Sequence, residues 1–220
     1  MVVELEKETK AANEAEAICA KDTNEAQIKR DEVNELKNIC KSDLDKAIPI
    51  LNKAKDAVGS IDKKGLQEMK AYSNPPALVE MVLKAVCLIL GEKESWDDAK
   101  KKILTRLDIL DVLSSFKAGS LTDKQVKRLK ENYLNDSDFD PEKVTRQSVA
   151  AKNLCIWVGA VEALFRVEKE VEPKKIKLAK AEESLKIVEG ELTIKQKALK
   201  EIQEKVASLQ RNYETTLRKS

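Results

Sequence analysis

Two proline-free arms of nearly equal length flank the middle of this chain, and a lone proline marks the inner end of each arm. Pro49 follows 48 residues, and 47 residues follow Pro173 (220 − 173). Both arms carry the seven-residue hydrophobic repeat of a coiled coil. This symmetry predicts a chain that leaves along one helix, builds a small domain and returns along a second, antiparallel helix. At about 1.5 Å per helical residue, each arm would be roughly 70 Å long.

The second arm has the more regular seam. Its seam residues alternate steps of three and four, which is the spacing of a two-helix coiled coil. Two lysines occupy seam positions and should weaken the pairing. The predicted seam residues are Val171, Lys174, Leu178, Ala181, Leu185, Val188, Leu192, Lys195, Leu199, Ile202, Val206, Leu209 and Tyr213.

The first arm is less regular, and its seam between Ile18 and Val33 has only Ala26 as a good anchor. An 11-residue spacing that ends at Leu44 predicts a local change of supercoil. Such a weak seam would let one helix slide along the other, although alanines also simply allow close antiparallel packing. The predicted seam residues nearest the middle are Val33, Leu36, Cys40, Leu44, Ala47, Leu51, Ala54, Val58 and Ile61.

The middle of the chain is where a hydrophobic core can form. Only 4% of the residues are aromatic and 36% are charged, but seven of the eight aromatic residues lie between the two prolines. We therefore predict an all-α fold, with a compact multi-helix tip domain on a long antiparallel two-helix coiled-coil stalk. The predicted divisions are residues 1–48 for the first stalk helix, 49–173 for the tip domain and 174–220 for the second stalk helix.

Capping signals divide the tip domain into short helices. Asp62 should begin a helix that runs to Tyr72, and Gly91 should end an apolar helix that starts at Ala77. A third helix should run from Ser95 toward Phe116 with a break near Asp108. Thr122 should cap a fourth helix, and Asp140 with Pro141 should start a last helix that continues past Pro173 into the second arm.

Composition argues against several classes of function. The chain has no histidine, no GxxxxGK[ST] phosphate loop and four widely spaced cysteines, so we predict neither catalysis nor a metal or other cofactor. The cysteines suggest a reducing, intracellular compartment, and no apolar run is long enough to span a membrane. The chain starts and stops within its helical pattern, as a segment of a longer protein would.

Basic residues form clusters on several predicted helices of the tip, although the net charge is only +2. An anionic binding partner would explain such clusters, whereas any one cluster alone is typical of a solvated surface. A nucleic-acid-binding helical hairpin is one alternative, but no aromatic residue alternates with the cations as a stacking surface would require. A purely structural coiled-coil spacer is another, but a spacer has no need of a separate aromatic core.

Several motifs of the tip resemble the stalk of dynein heavy chains. They are SNPPA at residues 73–77, CLILGE at 87–92 followed by Trp96, NY at 132–133, VTRQS at 144–148, Trp157, and VEP at 171–173. The resemblance covers the whole tip and the adjoining halves of both arms. SWDDAK at 95–100, FDPE at 139–142 and AAKNLC at 150–155 are more similar to axonemal than to cytoplasmic heavy chains.

The resemblance implies a microtubule-binding domain that docks between α- and β-tubulin. The implied contacts are Lys63 and Lys70 on the first short helix, Arg106 on the third, and Arg146 on the last, with Lys152 a weaker candidate. Asp62 stands where some relatives carry a basic residue.

The resemblance also implies how binding would be controlled. Pro49 and Pro173 match the prolines at the junction of stalk and tip, and the register of the two stalk helices would set affinity. Glu68 and Glu142 lie beside the implied contacts, and we hypothesise that each holds a nearby cation in the unbound domain. Ordinary helix-stabilising pairing explains them equally well.

The resemblance places the chain in a multi-subunit motor of the cytoskeleton, at the axoneme of a cilium or flagellum. ATP hydrolysis would belong to a ring outside this sequence. The chain itself would be monomeric, would need no cofactor, and would bind neither nucleic acid nor membrane.

Overall fold

The computed structural model describes residues 1–219, and the predicted all-α class is confirmed because no β-strand occurs in that range. Two units are present: an elongated unit of Met1–Cys40 with the residues from Pro173 onward, and a compact unit of Lys41–Glu172. No helix of residues 1–219 is both long and apolar enough to cross a membrane.

The α-helices differ greatly in length, from three residues to 71. Two π-helical segments, Ala99–Leu104 and Lys130–Leu134, directly follow α5 and α7, and Ala118–Ser120 forms a 3₁₀ turn. Within residues 1–219 the α-helices are α1 (Val2–Asp45), α2 (Ala47–Gly59), α3 (Lys63–Ala71), α4 (Ala77–Ile89), α5 (Trp96–Asp98), α6 (Ile109–Ser115), α7 (Asp123–Leu129), α8 (Pro141–Val144) and α9 (Val149–Lys219).

In the elongated unit, α1 and α9 pair in antiparallel orientation. The predicted seam of α9 is confirmed there, since Leu192 is buried and Leu178, Leu185 and Leu199 are half-buried, while Ile194 on another face is exposed. Ion pairs join the helices, with partner numbers that fall along α9 as they rise along α1. They are Glu8 with Lys205, Asp22 with Lys195, Arg30 with Glu189, and Lys37 with Glu182.

The seam predicted for the first arm is wrong at Leu44 and Leu51, whose residues are 40% and 39% exposed. Buried and half-buried positions instead follow an unbroken heptad from α1 into α2, so the predicted 11-residue spacing is also wrong. These positions are Leu5, Glu8, Ala12, Ala15, Cys19, Asp22, Ala26, Lys29, Val33, Leu36, Cys40, Asp43, Ala47, Ile50 and Ala54.

Polar residues in the α1 seam explain why hydrophobic periodicity identified only part of it. Glu8, Asp22 and Lys29 occupy the same position in three of the heptads, where an apolar residue is expected. Each has a partner on α9: Glu8 and Asp22 in the ion pairs above, and Lys29 Nζ 3.0 Å from Ser184 Oγ. Pairing with α9 therefore compensates the desolvation of these polar groups.

The two junction prolines occupy different positions in their helices. Pro49 is the third residue of α2, within the first turn, where proline's missing N–H costs little. An N–H at this position would have bonded to the carbonyl of Asp45, and α1 ends at that residue. Pro173 lies inside α9, as predicted, and removes one bond from the helix interior.

The core of the compact unit forms around α4, whose apolar side chains pack against α5, α7, α8 and both π-helical segments. Trp157 of α9 enters the same core and is fully buried. Its ring lies edge-on to Phe116, with centroids 5.8 Å apart. Aromatic residues of the middle region thus build the core that composition predicted.

Most predicted helix ends are confirmed, because short-range hydrogen bonds determine them. Gly91 has φ +77°, and the Glu92 N–H donates to the Cys87 carbonyl, which is the Schellman stop expected after α4. Thr122 and Gln125 form a reciprocal capping box at α7. Asp140 caps α8, with Pro141 as its first residue.

The last helix departs from the prediction. It does not run unbroken from Pro141, because α8 ends at Val144 and α9 begins at Val149. The residues between form a turn in which the Ser148 N–H still donates to the Val144 carbonyl, at 3.0 Å. Ser148 Oγ then accepts from the Ala151 N–H and caps α9, a signal that the helical periodicity concealed.

Candidate functional site

Helix α3 carries the first two candidate cations and begins and ends close to its predicted limits. Asp62 caps it by accepting a hydrogen bond from the Gly65 N–H at 2.7 Å. Lys63 is the exposed first helical residue, and Lys70 lies half-buried in the last turn. Because a helix start repels positive charge, the Asp62 carboxylate also offsets the unfavourable position of Lys63.

Gly65 allows α3 to approach α9 closely. A Cβ atom on Gly65 would lie 2.8 Å from the Cβ of Ala150, which is too close for two carbon atoms. The Ala150 Cβ cannot turn away because it is attached directly to the α9 backbone. Lys64, Glu68 and Val149 line a cleft beside this contact. The orientation of α3 at the start of α9 therefore depends on glycine.

We expect Gly65→Ala to force α3 away from α9 and to lower the free energy of unfolding by about 1–3 kcal/mol. Urea unfolding followed by circular dichroism would measure this change. Gly59→Ala is the matched control, because nothing lies within 4 Å of a Cβ at Gly59. Equal stability of the two variants would show that the close contact is not needed.

The other end of α3 is joined to the segment that leads to Arg106. Trp96 Nε1 donates to the Tyr72 carbonyl at 3.2 Å, and Lys100 Nζ donates to the same oxygen at 3.0 Å. Both donors lie on the continuous run of α5 and the first π-helical segment. Helix α3 is therefore held at both ends, by α9 and by this run.

The sequence predicted that Arg106 lies on a helix. It lies instead in the turn between the first π-helical segment and α6. The π-helix ends at Leu104, and α6 starts at Ile109. The predicted break near Asp108 is confirmed and is wide enough to include Arg106. The guanidinium group is partly exposed and projects from a turn that two helical ends define.

Asp108 holds Arg106 with two hydrogen bonds. Arg106 Nε donates to Asp108 Oδ1 at 2.9 Å, and Nη2 donates to Oδ2 at 3.1 Å. The hydrogen bond from Arg106 lowers the pKa of the Asp108 carboxyl below its usual range. Asp108 stands at the N-cap position of α6, but its side chain makes no capping bond there. The carboxylate therefore pairs with Arg106 instead of capping α6. This pair was not predicted from the sequence.

Arg146 also lies in a turn, although it was expected on the last helix. The turn is tied to the compact unit on one side by Gln147, whose Oε1 accepts from the Leu78 N–H at 2.9 Å. On the other side Ser148 caps α9. Arg146 is exposed, and no ion pair holds it among residues 1–219. A fixed backbone therefore presents a free guanidinium group.

Lys152 lies in the first turn of α9 and is half-buried. Its N–H donates to the Ser148 carbonyl at 3.0 Å, which continues the helix from the cap. Two residues before it, Ala150 contacts α3 at Gly65. The start of α9 therefore lies beside α3 and follows directly from the turn with Arg146.

Most other cations of the basic clusters form ion pairs within residues 1–219. Lys63, Lys70, Arg146 and Lys152 have no ion pair anywhere in the described part of the chain. Cations outside the candidate set more often have an acidic partner, which reduces the charge that they offer to another molecule. The paired examples are Lys101 with Asp97, Lys102 with Glu92, Arg128 with Glu94, Lys130 with Glu162, and Lys143 with Asp138.

Glu68 and Glu142 are both exposed, and neither forms an ion pair within residues 1–219. Glu68 lines the cleft between α3 and Val149, next to Lys64. The Glu142 N–H donates to Asp140 Oδ1 at 3.0 Å as part of the α8 cap. Their effect on affinity stays a prediction. The acidic residue that does pair with a candidate cation is Asp108, which holds Arg106.

The cysteines of the compact unit are buried and protonated. Burial raises the pKa of the Cys87 and Cys155 thiols to about 12, so neither is a nucleophilic thiolate at neutral pH. Within residues 1–219 no three His, Cys, Asp or Glu side chains are grouped to hold a metal ion. What the site offers is a set of cations on three neighbouring segments.

Sequence comparison finds a matching family profile and several similar proteins. A family profile described as the microtubule-binding stalk of dynein motor matches residues 1–219. Dynein axonemal heavy chain 2 of Mus musculus is 34% identical over 180 residues, which cover 81% of this chain and 4% of the relative. The Dynein-1-beta heavy chain of the flagellar inner arm I1 complex in Chlamydomonas reinhardtii is 38% identical over 140 residues, or 64% of this chain and 3% of that one. The chain therefore spans a small part of these relatives.

A solved structure described as the microtubule binding domain of DYNEIN-C is also similar. It has a TM-score of 0.52 and 32% sequence identity, and the match covers 61% of this chain and 95% of that one. Almost all of that domain is thus matched. These similarities support neither the nucleic-acid-binding hairpin nor the structural spacer considered above.

Proposed function

The chain belongs to the family of microtubule-binding stalks of dynein motors, and we propose that it binds microtubules through α3 and the turns that carry Arg106 and Arg146. One observation carries this proposal. Hydrogen bonds to Tyr72 join α3 to the run that leads to Arg106, and the Gly65 contact joins α3 to the start of α9 that follows Arg146. Such an arrangement suits a broad anionic surface better than a small ligand.

Lys63, Lys70, Arg106, Arg146 and Lys152 are the proposed contacts to tubulin. Arg146 is central among them because its turn is fixed and its charge is unpaired in the described chain. Glu68 and Glu142 would reduce affinity by offering a competing negative charge close to these cations. Since the contacts are between exposed charges, binding should weaken strongly with added salt.

The functional division that we propose places the binding module at residues 49–173, between stalk helices at 1–48 and 174–220. Pro49 and Pro173 mark its limits, and both interrupt helical hydrogen bonding. The register of α1 against α9 is the proposed control of affinity. Polar residues in the α1 seam support this idea, because a change of register would exchange their partners on α9, so that particular registers would be favoured over others.

The ATPase ring of the motor lies outside this stalk sequence, and we propose that the chain itself is not catalytic. As part of a multi-subunit motor, it would act at the axoneme of a cilium or flagellum. The names of similar proteins, which describe axonemal and ciliary dynein chains, support this location. As an isolated chain it would be monomeric and would bind neither nucleic acid nor membrane.

Co-sedimentation with stabilised microtubules across a series of salt concentrations tests the proposal. Saturable pelleting that weakens with salt would support it. Adding RNA as a competitor tests the hairpin alternative directly, since RNA should leave the bound fraction unchanged. The same measurement is repeated on two variants whose arms are cross-linked in different registers. If the chain stays in the supernatant at low salt in both registers, microtubule binding is refuted.

We expect Asp108→Asn to raise microtubule affinity about threefold to fivefold. The change frees Arg106 from its carboxylate partner, and the effect is modest because exposed ion pairs are weak. Asparagine keeps the shape of aspartate, and no capping bond is lost because the Asp108 side chain makes none to α6. Microtubule titration at constant salt would measure the change in the dissociation constant.

Asp97→Asn is the matched control for that experiment. Asp97 lies 3.0 Å from Lys101 in an exposed pair near the same turn, but Lys101 is not a proposed contact. A similar gain from both substitutions would mean that overall charge, rather than the release of Arg106, changes affinity.

A further inference from the structure

Two apolar side chains of the compact unit are more exposed to solvent than the other large apolar side chains of this unit. Leu107 is 105% exposed and Val149 is 64% exposed, whereas the other large exposed apolar residues of residues 41–172 are between 39% and 53% exposed. Single exposed apolar residues are common on protein surfaces and need no explanation in themselves. The position of these two is what makes them informative.

Each of the two directly accompanies a proposed contact. Leu107 follows Arg106 in the turn before α6, and Asp108 on its other side is bonded to that same arginine. Val149 is the first residue of α9, three positions after Arg146. The two turns are independent in sequence, yet each combines an arginine with an apolar side chain that the chain leaves uncovered.

The backbone gives neither residue a structural reason to be apolar. The Leu107 side chain is fully exposed among residues 1–219, and its turn is held by the hydrogen bonds between Arg106 and Asp108. At Val149 a β-branched residue starts a helix, where it has no advantage in helix propensity. The Ser148 cap and the Ala150 contact with Gly65 hold this point without help from the valine.

We propose that Leu107 and Val149 are apolar contacts to the microtubule, buried when the neighbouring arginines meet their acidic partners. This inference rests on the proposed function and adds to it. Binding would then combine screened charge pairs with an apolar contribution that salt does not weaken. The partner surface must therefore present apolar atoms beside its acidic groups.

Leu107→Asn and Val149→Thr test the proposal with little change of shape. Each should weaken microtubule binding about threefold to tenfold, because a partly buried aliphatic side chain contributes only part of the roughly tenfold or larger effect of complete burial. The loss should be the same at every salt concentration. Arg146→Ala should instead lose affinity mainly at low salt, because its contact is electrostatic.

Ile48→Thr is the matched control, since Ile48 is 53% exposed and accompanies no proposed contact. If Leu107→Asn and Val149→Thr bind as the unchanged chain does while Arg146→Ala binds weakly, the apolar proposal is wrong and microtubule binding stands. If the unchanged chain fails to bind in either arm register, both proposals fail. If light scattering finds a dimer that Leu107→Asn dissociates, the apolar residues join two copies of the chain instead.

Discussion

Arg146→Ala is expected to weaken microtubule binding at low salt by tenfold or more without unfolding the chain. Truncation removes a charge that the structure leaves unpaired among residues 1–219 and that a rigid turn presents. The planar guanidinium group can donate two parallel hydrogen bonds to a carboxylate, so its loss should cost more than that of a lysine. The fold should survive because the Arg146 side chain makes no ion pair there.

Co-sedimentation of the variant at fixed low salt would measure the dissociation constant, and circular dichroism would verify helix content. Arg211→Ala provides the control, since Arg211 is an exposed arginine of α9 in the elongated unit. An unchanged dissociation constant for Arg146→Ala would remove this residue from the binding surface. Equal weakening by Arg211→Ala would indicate a response to net charge alone.

Trp157→Ala is expected to lower the free energy of unfolding of the compact unit by about 3–5 kcal/mol. The side chain is 1% exposed, so truncation leaves a cavity in a close-packed core. It also removes the donor of the Nε1 hydrogen bond to the Leu113 carbonyl at 3.0 Å and the edge-on contact with Phe116. Microtubule binding should fall with the loss of folded protein.

Urea unfolding monitored by circular dichroism would test this expectation. Trp157→Phe separates the two contributions, because it keeps much of the apolar volume and loses the hydrogen bond. We expect it to cost less than Trp157→Ala, with the difference reporting the cavity. A loss below about 1 kcal/mol for Trp157→Ala would mean that the core collapses around the vacant space.

Local chemistry made many helix limits predictable. Gly91, Thr122 and Asp140 each determine a helix end through hydrogen bonds that span only a few residues, so their sequence signals were sufficient. The α9 seam was predictable for a related reason, because its apolar residues keep the heptad spacing. The family motifs indicated which cations to consider as contacts, and their role stays a prediction.

Contacts between distant segments could not be predicted from such short-range signals. Asp22 and Lys29 take seam positions of α1 beside partners on α9, so hydrophobic spacing could not identify the seam there. The buried Asp43 likewise takes the seam position that the spacing assigned to Leu44. Arg106 and Arg146 were both assigned to helices, since helical periodicity continues through the turns that carry them. Gly65 gave no local signal of its close approach to Ala150.

The amino-acid sequence was enough to predict the all-α class, the heptad arms, the aromatic core and the types of residue available for binding. These properties follow from composition and from patterns and hydrogen bonds between residues that are close in the chain. The packing of distant segments was needed to see that Asp108 holds Arg106, that Gln147 ties the Arg146 turn to α4, and that Leu107 remains uncovered. Such features depend on how segments that are distant in the sequence pack together. That packing decides which polar groups form pairs and which side chains stay exposed.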